Sequence, residues 1–159
     1  MEGLIPKEFG QDAKEIPGAR TILAQLESAE APWAIVTSGT RPLLEGWLSV
    51  LGLSHPKNVV VAEDVEHGKP DPECYALGRS RLGVPPTADV LVLEDAPAGI
   101  RAAKAAGCKV VAVVTTHTVA QVKEAGADWV VQDLASVIFR GWNDDKTAIE
   151  IDICHALEG

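Results

Sequence analysis

Short apolar runs alternating with stretches of helical periodicity constrain this chain more than any other feature. Five such runs stand out: Trp33 to Val36, Asn58 to Ala62, Asp89 to Leu93, Lys109 to Val114 and Asp128 to Val131. Around them, Ile22, Leu23 and Leu26 recur at helical spacing, as do Leu44, Trp47, Leu48 and Leu51. Further helices are read from about Pro72 to Leu82, from Pro97 to Ala106 with Gly107 as cap, and around Val119 to Glu124. Strands alternating with helices at this spacing are βαβ units. Their sum is a doubly wound, mostly parallel, Rossmann-like α/β sheet. The run from Lys109 to Val114 carries apolar residues throughout, as a strand does when both its faces are covered.

The 159 residues suffice for one domain with a buried core. Residues 17–139 carry the α/β pattern. Residues 1–16 are polar and weakly patterned, and Pro17-Gly18 closes them as a turn before a helix. Residues 140–159 form a mixed tail, in which Gly141 to Asp145 reads as a turn and Ala148 to Ile153 alternates as an edge strand would. The net charge of −9 leaves no basic patch to neutralise a nucleic-acid backbone. An acidic chain can still hold a phosphate ester, but only through a local device such as a lysine, a helix N-terminus or a divalent metal. Cys74, Cys108 and Cys154 are odd in number and lack disulfide or zinc spacing, which fits a reducing compartment. There is no signal pattern after Met1, and no apolar run nears the ~18 residues of a membrane span. The expectation is a soluble, cytoplasmic protein.

Ligands of such sheets bind beyond the carboxyl ends of the strands, and three of those ends here are polar. The first is Thr37-Ser38-Gly39, whose hydroxyls and turning N–H groups suit a phosphate oxygen. Alone, it reads more readily as a plain helix N-cap. The second is Gly68-Lys69-Pro70-Asp71-Pro72, a stiff loop whose ammonium can offset charge on a phosphoryl group. An isolated loop lysine is otherwise simply solvated, and neighbouring His67 is read as a surface residue. The third is Glu94-Asp95, two adjacent acids straight after an apolar strand, where burial is costly without a cation. Carboxylate oxygens of this kind suit Mg²⁺. A helix cap by Asp95 would account for one acid but not for both.

The order serine, lysine, glutamate-aspartate resembles the second, third and fourth signatures of the haloacid dehalogenase superfamily. The wording is similar to its glycerol-phosphate and 2-deoxyglucose-6-phosphate phosphatases: Val36-Thr37-Ser38-Gly39-Thr40-Arg41, then Gly68 to Tyr75, then Leu93 to Ile100, then Lys104-Ala105-Ala106-Gly107-Cys108. The resemblance covers nearly the whole chain. It implies a Mg²⁺-dependent hydrolase of small polyol or sugar phosphates. In it, Ser38, Gly39 and Lys69 bind the phosphoryl group, while Asp95, with Glu94 beside it, serves the metal.

The same resemblance exposes a deficit. The family's chemistry starts from an Asp-x-Asp-Gly-Thr motif on its opening strand, where the first aspartate forms an aspartyl-phosphate. No such motif occurs in the 159 residues. Family members place it, and an inserted helical cap, ahead of the segment that begins here, and residues 1–16 resemble the end of that cap and its linker. The resemblance therefore implies a C-terminal portion of a longer phosphatase, inactive alone, with its opening central strand and cap domain absent. The alternative is a non-enzymatic phosphate-binding or interaction protein on the same scaffold. The missing strand would lie between those ending at Ser38 and Glu94. Either these two close up and pair, or a slot stays open between apolar edges and invites self-association. A phospho-receiver domain carries its acids first and its lysine last, the reverse of this order. No GxGxxG follows any strand to support nicotinamide binding.

Overall fold

A computed structural model describes residues 15–157, and within them every apolar run forms a strand and every helical stretch a helix. The order is α1 Ala19–Ser28, β1 Ala34–Val36, α2 Arg41–Leu51, β2 Asn58–Val60, α3 Glu73–Leu82 and β3 Leu91–Glu94. There follow α4 Pro97–Ala105, β4 Lys109–Val113, α5 Val119–Glu124, β5 Trp129–Val131 and an antiparallel hairpin, β6 Val137–Trp142 with β7 Ile149–Ile153. Most of the segment expected to be a cap-and-linker remnant, residues 1–14, lies outside the described residues.

Local chemistry sets the helix ends. Gly52 and Gly83 close α2 and α3 with φ of 62° and 69°, the left-handed conformation that costs glycine nothing. The short α5 starts on a capping box: Gln121 N donates to Thr118 Oγ1 at 3.2 Å, and Thr118 N donates to Gln121 Oε1 at 2.9 Å.

All the pairings among β1 to β5 are parallel, as the alternation of elements requires. β1 pairs with β2, and β3, β4 and β5 pair in that order. Successive residues of β4 face opposite ways. Val110 and Ala112 pack with Tyr75, Ile100, Val122 and Val130 on the face covered by α3, α4 and α5. Val111 and Val113 pack with Ile22, Val131 and Val137 on the other face, beneath α1 and the hairpin. This is the doubly wound arrangement, with the central strand of its larger half buried on both sides.

The sheet is interrupted. Among the described residues β1 and β3 share no ladder, so β1-β2 and β3-β4-β5 are separate sheets. Of the two expected arrangements, closure by direct pairing is not the one adopted. The carboxyl ends of β1 and β3 instead border a cavity of about 460 Å³. Leu93, which lines this cavity, stays 37% exposed between two buried neighbours. Helix α3 spans the break, packing on β1 and β2 and touching α4.

The tail differs from its expectation in one respect. The strand begun at Val137 runs on through Gly141 and Trp142, and the turn is confined to the residues after them. A bulge between Phe139 and Gly141, with Gly141 at φ 103°, breaks the alternation that would have revealed the strand. Trp142 Nε1 donates to the Ala29 carbonyl at 2.9 Å and ties the hairpin to the end of α1.

Candidate functional site

The three polar strand ends converge. Thr37 and Ser38 after β1, Lys69 from the loop before α3, and Glu94 and Asp95 at the end of β3 all line the one cavity. Its remaining wall is largely apolar, from Ile16, Val36, Leu93, Val113 and Leu134. The break in the sheet and the candidate site are therefore the same place.

The N-cap of α2 is Thr40, two residues beyond Ser38, so Ser38 is not the cap. Ser38 is exposed on the cavity wall. Gly39 N donates to Thr37 Oγ1 at 3.0 Å, and the Gly39 carbonyl accepts from Ala62 N at 3.0 Å, so these groups shape the turn that presents Ser38. The N-cap of α4 is Ala96, not Asp95. Asp95 Oδ2 accepts from Thr115 Oγ1 at 3.2 Å, which joins the ends of β3 and β4.

Lys69 is not a solvated loop lysine. Its side chain is 13% exposed, donates to the Val36 carbonyl at 3.3 Å and forms an ion pair with Glu94. Two of its three N–H bonds thus face protein acceptors across the sheet break, and the ammonium also borders the cavity. The loop that carries it is fixed from behind. Glu66 N and His67 N each donate to the Glu73 carboxylate at 2.9 Å, and Glu73 N donates to Asp71 Oδ1 at 2.9 Å. These two backbone donors, with His67 Nδ1 at 3.1 Å, hold the Glu73 carboxyl below its ordinary value. His67 is otherwise an exposed surface residue, as read from the sequence.

Glu94 is the most enclosed of the group. Besides Lys69, its carboxylate accepts from Tyr75 Oη at 2.6 Å, Asp95 N at 3.1 Å and Ala96 N at 3.3 Å. Burial pushes its carboxyl up, but the Lys69 ammonium and the donated hydrogen bonds outweigh that and leave it below the usual glutamate value. The same contact works in reverse on Tyr75. Burial, then the Glu94 charge, drives the phenol far above its ordinary range, so it stays a donor.

Sequence reading missed three members of this arrangement: Tyr75, Gly99 and Thr115. Tyr75 lies in the Gly68 to Tyr75 stretch, but only the fold turns its hydroxyl to Glu94. Gly99 carries a steric signal. A Cβ there would lie 2.0 to 2.4 Å from three atoms of the Glu94 carboxyl group, so only glycine lets α4 pass so close.

The described residues do not compose a metal site on their own. No three His, Cys, Asp or Glu side chains among them converge as ligands. Glu94 is taken up by protein donors, and Asp95 remains as one carboxylate toward an ion that prefers six oxygens.

Comparisons with known proteins show the family of the chain. A family profile described as haloacid dehalogenase-like hydrolase matches residues 5–113. Glycerol-1-phosphate phosphohydrolase 2 of Saccharomyces cerevisiae is 40% identical over 157 residues, covering 94% of this chain and 63% of that protein. Hexitol phosphatase A of Escherichia coli is 47% identical over 98 residues, covering 62% of this chain and 45% of that protein. A solved hydrolase from Deinococcus radiodurans R1, with bound phosphate and sodium, is 29% identical and superposes with a TM-score of 0.70 over 76% of this chain and 56% of its own. The chain thus spans less than two thirds of the length of these relatives.

Proposed function

Because the chain belongs to the haloacid dehalogenase-like hydrolases, we propose that its cavity is the phosphate-holding part of a site for small polyol or sugar phosphates. The observation that carries this reading is Lys69. It is an enclosed ammonium at the carboxyl ends of two parallel half-sheets, lining the same cavity as the exposed Ser38. The lysine supplies charge against a phosphoryl group, and the serine supplies a directed donor at the opposite strand end. Relatives named for glycerol-1-phosphate and hexitol phosphates support a polyol or sugar ester as the ligand class.

Asp95 is the residue we assign to the metal side, where a bound Mg²⁺ would shield phosphate charge. The described residues do not complete such a site by themselves. Hydrolysis in this fold also calls for a carboxylate nucleophile, and the sequence has no Asp-x-Asp-Gly-Thr to provide one. The chain alone is therefore proposed to bind phosphate without turning it over. The alternative, a dedicated non-enzymatic phosphate binder, uses the same residues.

The test is hydrolysis of p-nitrophenyl phosphate with Mg²⁺, comparing the chain with Asp95→Asn. The expected result is no turnover above buffer for either protein. Turnover by the unmodified chain that Asp95→Asn abolishes would contradict the inactive part of the proposal and require another nucleophile.

A further inference from the structure

Tyr75 is not among the groups that face the cavity, yet it is built into the device that holds Lys69. Its hydroxyl donates to Glu94 Oε1, the same oxygen that receives the Lys69 ammonium. Its ring also lies beneath that ammonium, with Nζ 5.1 Å from the ring centroid. The opposite carboxylate oxygen, Oε2, is held by the N–H groups of Asp95 and Ala96. The side of the group is closed by Gly99, where any Cβ would collide with it. A buried carboxylate fixed at both oxygens and along one side has one orientation, and a lysine paired to it has one location.

We propose that Tyr75 is a positioning residue for phosphate binding, fixing the Glu94 carboxylate so that Lys69 is held at the cavity wall with donor capacity left for an oxyanion. This rests on the proposed phosphate-binding role of Lys69 and adds the residues that prepare it. Two physical effects act together. Sharing Oε1 with a phenol weakens the hold of Glu94 on the ammonium, leaving more of its charge for a ligand. A lysine already immobilised also loses less side-chain freedom when the ligand arrives.

Tyr75→Phe removes the hydroxyl and keeps the ring. The experiment is calorimetric titration of inorganic phosphate into the whole chain, with thermal melts alongside, for the unmodified protein, Tyr75→Phe, Gly99→Ala and Lys69→Met. Tyr75→Phe is expected to fold cooperatively and bind phosphate roughly tenfold more weakly, the scale of one hydrogen bond to a charged group. Gly99→Ala forces the carboxylate out of its seat from the other side, and is expected to weaken binding several-fold. A folded Tyr75→Phe with unchanged or tighter phosphate affinity overturns the proposal, even if its melting temperature falls, since that is the mark of a packing role alone. If Tyr75→Phe does not fold, Gly99→Ala decides by the same criterion. Binding that Lys69→Met abolishes but Tyr75→Phe leaves intact refutes the Tyr75 role and spares the phosphate site. No phosphate binding by the unmodified chain, or binding indifferent to Lys69→Met, refutes both.

Discussion

Glu94 and Lys69 form the buried ion pair of the site, with side chains 7% and 13% exposed. Such a pair contributes little over an apolar packing of the same volume, but removing one member leaves an uncompensated charge in a poorly solvated place. Glu94→Ala is therefore expected to destabilise the chain by about 3 kcal/mol, measured as the shift in the urea unfolding midpoint. The pH dependence has a defined sign. The Glu94 carboxyl is lowered on folding, so its contribution is complete above the ordinary glutamate value and is lost as pH falls through the lower folded value. The gap between the unmodified protein and Glu94→Ala should narrow over that acid range, and a gap constant with pH would contradict the account. At this scale the sequence was only partly legible. Ser38, Lys69, Glu94 and Asp95 could be named because their order resembles the signatures of the haloacid dehalogenase superfamily, whereas Ser38 or Lys69 alone reads more plainly as a helix cap or a solvated lysine. That Glu94 faces Lys69 and Tyr75, while Asp95 meets Thr115, depends on partners 19 to 25 residues away, which no local pattern encodes.

The element pattern was the most legible level. Strands β1 to β5 and helices α1 to α5 follow from apolar runs and 3.6-residue periodicity, with glycine marking several ends. The hairpin strand β6 was missed because Gly141 bulges it out of two-residue alternation. The break between β1 and β3 was legible only as one of two arrangements, because nothing in a strand's own sequence tells whether it will close onto a new neighbour. Among the described residues each of these strands is paired on one side only, and Leu93 of β3 stands exposed in the cavity between them. An apolar strand edge left open is a template for pairing with another chain. We propose that the protein self-associates through these edges. Sedimentation velocity should then show a mean mass rising with protein concentration, and Leu93→Lys should reduce it, since an edge lysine must be buried for pairing to occur. A monomer at every concentration would contradict this.

At the scale of the whole molecule, the break in the sheet and the candidate phosphate cavity coincide, in a chain whose net charge is −9. An anion approaching such a surface is repelled at long range, so binding must come from a short-range, prepared cation. Lys69, seated on Glu94 and lining the cavity, is the enclosed lysine there. The family resemblance singled out the candidate residues. The fold adds that they converge although the strands bearing them do not pair. The central claim is that this chain holds phosphate at Lys69 in the open slot. The most direct measurement is a two-dimensional ¹⁵N NMR titration of the labelled chain with inorganic phosphate. The account predicts saturable shifts concentrated at Thr37, Ser38, Lys69, Asp95 and Ala96, and their loss in Lys69→Met. Shifts that are absent, that scatter over the surface, or that persist in Lys69→Met would contradict it.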